Sequence, residues 1–150
     1  MLCLLDTNIL LRSLDRNHPQ CRVVRRAIVA LRRQNAQPCF VAQNLIEFWA
    51  VATRPVDANG LGMSTEWAAA QLAKIKRFFV ILPETSEILP RWEKLVIQYR
   101  VLGKKTHDAR LAAAMEVHGV SQILTFNTGD FSRYPGIRVI DPQDLPTMPE

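Results

Sequence analysis

Residues 2–8 read Leu-Cys-Leu-Leu-Asp-Thr-Asn, and this stretch decides the fold. Four apolar residues in succession, with no alternation, fit a strand buried on both faces, as in a parallel sheet covered by helices on either side. An acid, Asp6, follows at once, and then Thr7 and Asn8. Open parallel sheets bind ligands outside the carboxyl ends of their strands, so Asp6 falls where chemistry is expected.

Outward from this strand, helical and strand-like segments alternate. Cys21, Val24, Ile28 and Leu31 share one helical face over about 19–34, with arginines on the rest of the surface. Pro38 closes that segment, and Cys39–Ala42 reads as a strand. Residues 44–53 read as a helix, and 54–63, with Pro55, Asn59, Gly60 and Gly62, as a loop. Ser64 or Thr65 caps a helix to about 77, and Phe78–Leu82 is the next strand. Ser86 caps a helix to about Tyr99 with Pro90 in its first turn, and another helix spans 107–118, with Gly119 as its C′ residue. Ile123–Thr125 and Ile137–Ile140 complete the strands. Strands alternating with helices specify an α/β protein with a central parallel sheet and helices on both faces. The expected organisation is a single domain over 1–150, with 141–150 as an extended tail.

Length and composition agree. A chain of 150 residues that is 48% hydrophobic and 22% charged is an ordinary globular domain, which excludes disorder and disulfide-framed miniproteins. The net charge of +5 permits a polyanionic partner without demanding one. Cys3, Cys21 and Cys39 are isolated, so no zinc motif or disulfide framework is expected, and a reducing cytoplasm is the expected location. The start reads as neither a signal peptide nor a membrane span.

Four acids stand at strand exits or in first helical turns: Asp6, Glu47, Asp108 and Asp130, with Asn127 also after the fourth strand. Each alone has a structural explanation, such as a helix cap or a turn. Glu47 is the hardest to explain so, because Leu45, Ile46, Phe48 and Trp49 surround it. Two carboxylates about 5 Å apart repel by about 3 kcal/mol at an effective dielectric of about 20. Four in one crevice therefore need protonation, a basic side chain or a divalent cation. Oxygen donors without histidine or thiolate suit magnesium, with manganese as the alternative, and such ions take substrate phosphates as further ligands.

The stretches LLDTNILLR (4–12), VAQNLIEFWAV (41–51), KKTHDARLAAAM (104–115) and ILTFNTGDFSRYPGI (123–137) resemble the PIN-domain family, particularly the VapC toxins of toxin–antitoxin pairs. The resemblance implies a three-layer α/β/α sandwich and a magnesium- or manganese-dependent endoribonuclease. By position, Asp6, Glu47 and Asp108 match the family's first three acids, and Asp130 its variable fourth. Many relatives carry an acid where this chain has Asn127, which leaves open whether Asn127 or Asp130 lies nearer the metal. Asn8 and Thr125 match polar positions that support the acids. The resemblance also implies a homodimer and an antitoxin whose basic side chain enters the acidic crevice.

The matching chemistry is hydrolysis of an RNA phosphodiester by a water that a carboxylate-held divalent ion activates. Lys104, Lys105 and Arg110 flank Asp108 and are the expected RNA contacts, whereas the arginines of 22–33 read equally well as a solvated helix face. Trp49 and Trp67 read as core or dimer interface, and His107 as a surface residue. Two alternatives stand beside the toxin: a PIN nuclease of RNA processing or quality control, and a non-catalytic PIN-like module that binds RNA or protein. A haloacid-dehalogenase-type phosphatase fits poorly, because its second acid would fall at Asn8.

Overall fold

The computed structural model describes residues 1–145. Its strands are β1 (Leu2–Leu5), β2 (Gln37–Val41), β3 (Val80–Leu82), β4 (Gln122–Leu124) and β5 (Arg138–Ile140). Its helices are α1 (Thr7–Leu14), α2 (Cys21–Arg33), α3 (Ala42–Thr53), α4 (Thr65–Phe78), α5 (Ile88–Gln98) and α6 (Lys105–His118). All four strand pairings are parallel, in the order β3-β2-β1-β4-β5. The chain thus moves outward from β1 on one side through β2 and β3, then crosses back to lay β4 and β5 on the other. The order reverses between β1 and β4, which makes their carboxyl ends the crevice of the sheet.

The uninterrupted apolar strands follow from burial on two faces. Cys3, Leu5, Phe40 and Leu124 face a core built with α1, α2, α3 and α4. Leu4, Cys39, Val41 and Ile123 face a second core built with α5 and α6. Small residues on α6, Ala109 and Ala112–Ala114, are fully buried and let that helix lie close to its neighbours. This is the expected α/β/α sandwich with a central parallel sheet.

Several boundaries differ from the sequence reading. Helix α1 went unread: it starts directly from β1, with no loop, because the Asp6 side chain accepts a hydrogen bond from Thr7 N and caps it. Pro38 is not a break but the second residue of β2, opposite Cys3, where a missing N–H close to the strand start is tolerated. That strand starts at Gln37, and α3 begins at Ala42, earlier than 44. Phe78 ends α4 and Phe79 is its cap, so β3 is only Val80–Leu82. The next helix starts at Ile88, and α6 at Lys105, so Asp108 lies in its first turn. The 54–63 loop contains a single 3-10 turn, and Ser64 caps α4 as expected, accepting from Trp67 N. Gly119 closes α6 in the left-handed region, φ 68°. The expected extended tail is instead a 3-10 turn at Pro142–Asp144, and 146–150 lie outside the described residues.

Phe131 is fully buried and anchors the 3-10 turn Thr128–Asp130 to the α5/α6 core. Phe131→Ala is therefore expected to lower stability by about 3–5 kcal/mol, read from urea unfolding. A loss under 1 kcal/mol would show that this anchor is not part of the packed core.

Candidate active site

The crevice at the carboxyl ends of β1 and β4 gathers polar side chains from four parts of the chain. Asp6, at the exit of β1, is buried, 6% exposed. Its backbone N–H donates to Leu124 O at 3.0 Å, which ties it to the end of β4. Its Oδ1 accepts from Thr7 N at 2.8 Å, and Oδ2 accepts from Thr125 Oγ1 at 2.7 Å. Asn8 Nδ2 donates to the same Oδ2 and to Thr125 Oγ1, each at 3.4 Å. Thr125 Oγ1 also accepts from Asn127 N at 3.0 Å. Asn8 and Thr125 thus both contact the acid they were expected to support.

Glu47, half-buried on α3, is held by residues the sequence reading did not single out. Its Oε2 accepts from Thr7 Oγ1 at 2.8 Å, and Oε1 accepts from Gln43 Nε2 at 2.7 Å. Gln43 is one helical turn before Glu47, an i, i+4 pair, and that spacing was the available signal. Gln43 Nε2 also donates to His107 O at 2.8 Å, joining α3 to the first turn of α6. Fully buried Asn44 donates to Thr7 Oγ1 at 3.2 Å and accepts from Val41 N at 2.9 Å. Nothing short of the folded contacts reveals Asn44, since an Asn beside a strand end is common.

The acids feel one another. Burial, followed by the charges of Asp130, Asp6 and Glu47, pushes Asp108 up to about 7, with Lys105 opposing. Burial also raises the Asp6 carboxyl, against its hydrogen bonds from Thr125 and Thr7, with Glu47 and Asp130 adding repulsion. The four acids thus lie close enough to act on one another's charge. Asp130, half-buried, is within that field, whereas Asn127 is exposed and bonds to Thr125 only through its backbone. Of the basic residues, Lys104 and Lys105 are exposed at the start of α6. Arg110 is engaged: it donates to Glu84 Oε2 at 2.6 Å and to Gln43 Oε1 at 3.2 Å. His107 is exposed as expected, and contributes its carbonyl to Gln43. Trp67 packs on Phe48 in the core, and half-buried Trp49 lies with Leu45, Ile46 and Leu72.

Among the described residues no group of three or more His, Cys, Asp or Glu side chains is gathered tightly enough to hold a metal ion by itself. The acids of the crevice offer only oxygen donors, and Asn8 Oδ1 is buried with no hydrogen-bond partner. An orphaned acceptor beside four carboxylates fits a hard divalent ion with its hydration waters, such as magnesium or manganese.

The PIN domain model matches residues 3–137. The chain belongs to the PIN domain family. No curated protein matches it in sequence. Solved structures match its fold. VapBC2 from Rickettsia felis, bound to a promoter DNA fragment, superposes with a TM-score of 0.70 at 15% identity, over 94% of this chain and 98% of that one. VapBC-1 from nontypeable Haemophilus influenzae gives 0.69 at 18% identity, over 96% and 100%. VapC20 from Mycobacterium tuberculosis, a toxin that cleaves the sarcin–ricin loop, gives 0.67 at 16% identity, over 90% and 95%. Among the described residues no helix is long and apolar enough to cross a membrane.

The raised Asp108 has a sign that can be checked. The folded state holds this proton more tightly than the unfolded chain, so the stability it contributes is complete below pH about 4 and is lost as pH rises through about 7. Without metal, Asp108→Asn is expected to melt above the unaltered protein at pH 8, with the gap shrinking towards pH 4. A variant that melts lower at pH 8 in EDTA would contradict the crowding of charge.

Proposed function

We propose that the chain is a metal-dependent endoribonuclease of the VapC kind, the toxin of a toxin–antitoxin pair. One observation carries the reading. Four carboxylates from four separate elements act on one another near the point of the sheet where ligands bind, and burial followed by the charges of the other three pushes Asp108 up to about 7. Burial and mutual repulsion of this kind call for a positive partner, and a divalent cation supplies it.

In this reading Asp6, Glu47, Asp108 and Asp130 hold magnesium, or manganese in its place. When bound, such an ion lowers the pKa of water and offsets negative charge on phosphoryl oxygens. The chain's own residues do the positioning. Thr7 bridges the first two acids, giving its N–H to Asp6 and its hydroxyl to Glu47. Thr125 and Asn8 leave one Asp6 oxygen edge committed to the protein, fixing the carboxylate plane. Gln43 fixes Glu47, and is itself held by Arg110, which Glu84 anchors. Arg110 acts through this chain of contacts, while Lys104 and Lys105 are placed to meet the RNA phosphates. Asn127 supports through the backbone bond to Thr125.

The same field defines the partners. RNA brings phosphates to the crevice, and an antitoxin that silences the enzyme would insert an arginine or lysine among the same carboxylates. The likeness to solved VapBC complexes supports that partner, and the reading carries with it a homodimer and a cytoplasmic setting.

The test is cleavage of a small-RNA pool with magnesium, with manganese and with EDTA. Discrete metal-dependent fragments, absent with folded Asp108→Asn, are expected; cleavage that survives both EDTA and the substitution would overturn the mechanism. Gln43→Ala frees Glu47 and is expected to cost about 10–100-fold in activity or metal affinity. Gln43→Glu adds a fifth acid beside Glu47 and is expected to do no better. Full activity of Gln43→Ala would remove Gln43 from the site.

A further inference from the structure

The opposite end of the sheet carries a second cleft that the nuclease reading does not use. It has a volume of about 610 Å³ and lies where β2 and β3 begin, between the C-terminal ends of α2 and α4. Its floor is Ala36–Pro38 with Val80, and its walls are two arginine–phenylalanine stacks. The Arg32 guanidinium lies over the Phe79 ring at 5.1 Å, and Arg77 over Phe78 at 5.5 Å. No acid lines the cleft among the described residues. Arg33, Lys74 and Lys76, all exposed, extend the positive charge on the same two helices.

Cations at helix C-termini are stabilising in themselves, and this accounts for part of the pattern. Arg32 Nη2 donates to Phe78 O at 3.3 Å, which is a helix-end bond. Capping does not account for Phe78, which stands 63% exposed where its helix neighbour Ile75 is buried. Nor does it require an aromatic ring under each guanidinium. A guanidinium stacked on a ring uses its face and keeps its N–H edge for an anion. Exposed ring, guanidinium edges and missing acids together match one ligand chemistry: a flat aromatic group that carries a phosphate.

We propose that this cleft binds a nucleotide of single-stranded RNA, its base stacked on Phe78 and its phosphate held by Arg77 and Arg32. The proposal rests on the nuclease reading for its choice of RNA. Five residues of β2 set the two ends of the sheet about 16 Å apart along the strands, and the crevice lies a further one to two strands, about 5–10 Å, to the side. An RNA of several nucleotides spans that distance along the edge of the domain. The cleft then grips a flanking single strand while the acids meet the cleaved bond, which lengthens the footprint without touching the chemistry.

The test is binding of a fluorescein-labelled eight-nucleotide oligoadenylate in EDTA, read by anisotropy. Phe78→Ala is expected to weaken it about tenfold and Phe78→Trp to restore it, since every base stacks on an aromatic face. Arg77→Ala is expected to weaken it and to lower the slope of log affinity against log salt by about 1. Both side chains are at the surface, and unchanged melting temperatures check the fold. Binding that ignores Phe78 and Arg77 but is lost in a Lys104→Ala, Lys105→Ala double variant overturns the second site and leaves the nuclease standing. Absence of binding by the unaltered protein, or Phe78-dependent capture of a polyglutamate peptide in place of the RNA, also overturns it. Phe78-dependent RNA binding without metal-dependent cleavage of the small-RNA pool would uphold the cleft and remove the nuclease.

Discussion

A carboxylate buried at the end of a central strand needs compensation, and the organisation of this site follows from how Asp6 receives it. Its position is not adjustable: the backbone N–H is bonded to the end of β4, and the residue caps α1. Its oxygens take bonds from Thr7, Thr125 and Asn8, which together offset only part of the burial that raises its pKa. The charges of Glu47 and Asp130 add to the deficit. In the proposed reading a divalent cation makes good that deficit.

The architecture supplies the convergence. Because the strand order reverses beside β1, the chain leaves β1 into α1 on one face of the sheet and leaves β4 towards Phe131 on the other. Helix α3 enters from one layer with Glu47, and α6 from the other with Asp108. Gln43 joins the layers, bonding Glu47 on its own helix and the His107 carbonyl at the start of α6. The Arg110–Glu84 pair behind it is half-exposed, so its energetic contribution is small, and its value lies in fixing the glutamine. Rigid strands carry the site, and short polar contacts set the angles of its carboxylates.

Much of this was legible because the physics leaves marks in the chain. Strands buried on both faces must be apolar throughout, so Leu2–Leu5 announced a parallel sheet, and an acid directly after such a run announced a site. Asp6 and Asp130 took their place from strand ends, Asp108 from the start of a helix and Glu47 from its apolar surroundings. What escaped was local or reciprocal. Helix α1 has no loop before it, since Asp6 is both strand exit and cap. Pro38 resembles a break until its place next to β1 shows that one missing N–H is tolerated there. Thr7, Gln43 and Asn44 are ordinary residues whose importance lies in partners 37 to 64 positions away. Arg110 read as a free phosphate ligand because nothing in its own segment shows Glu84.

The central claim is that the four acids are arranged for a divalent cation. An anomalous difference map from crystals soaked in manganese tests it most directly. The account predicts a peak within about 2.0–2.6 Å of oxygens of Asp6 and Asp108, with waters completing the shell towards Glu47 and Asp130. A fully occupied peak elsewhere, or a clean map in which a lysine or arginine side chain has folded into the crevice, would contradict it.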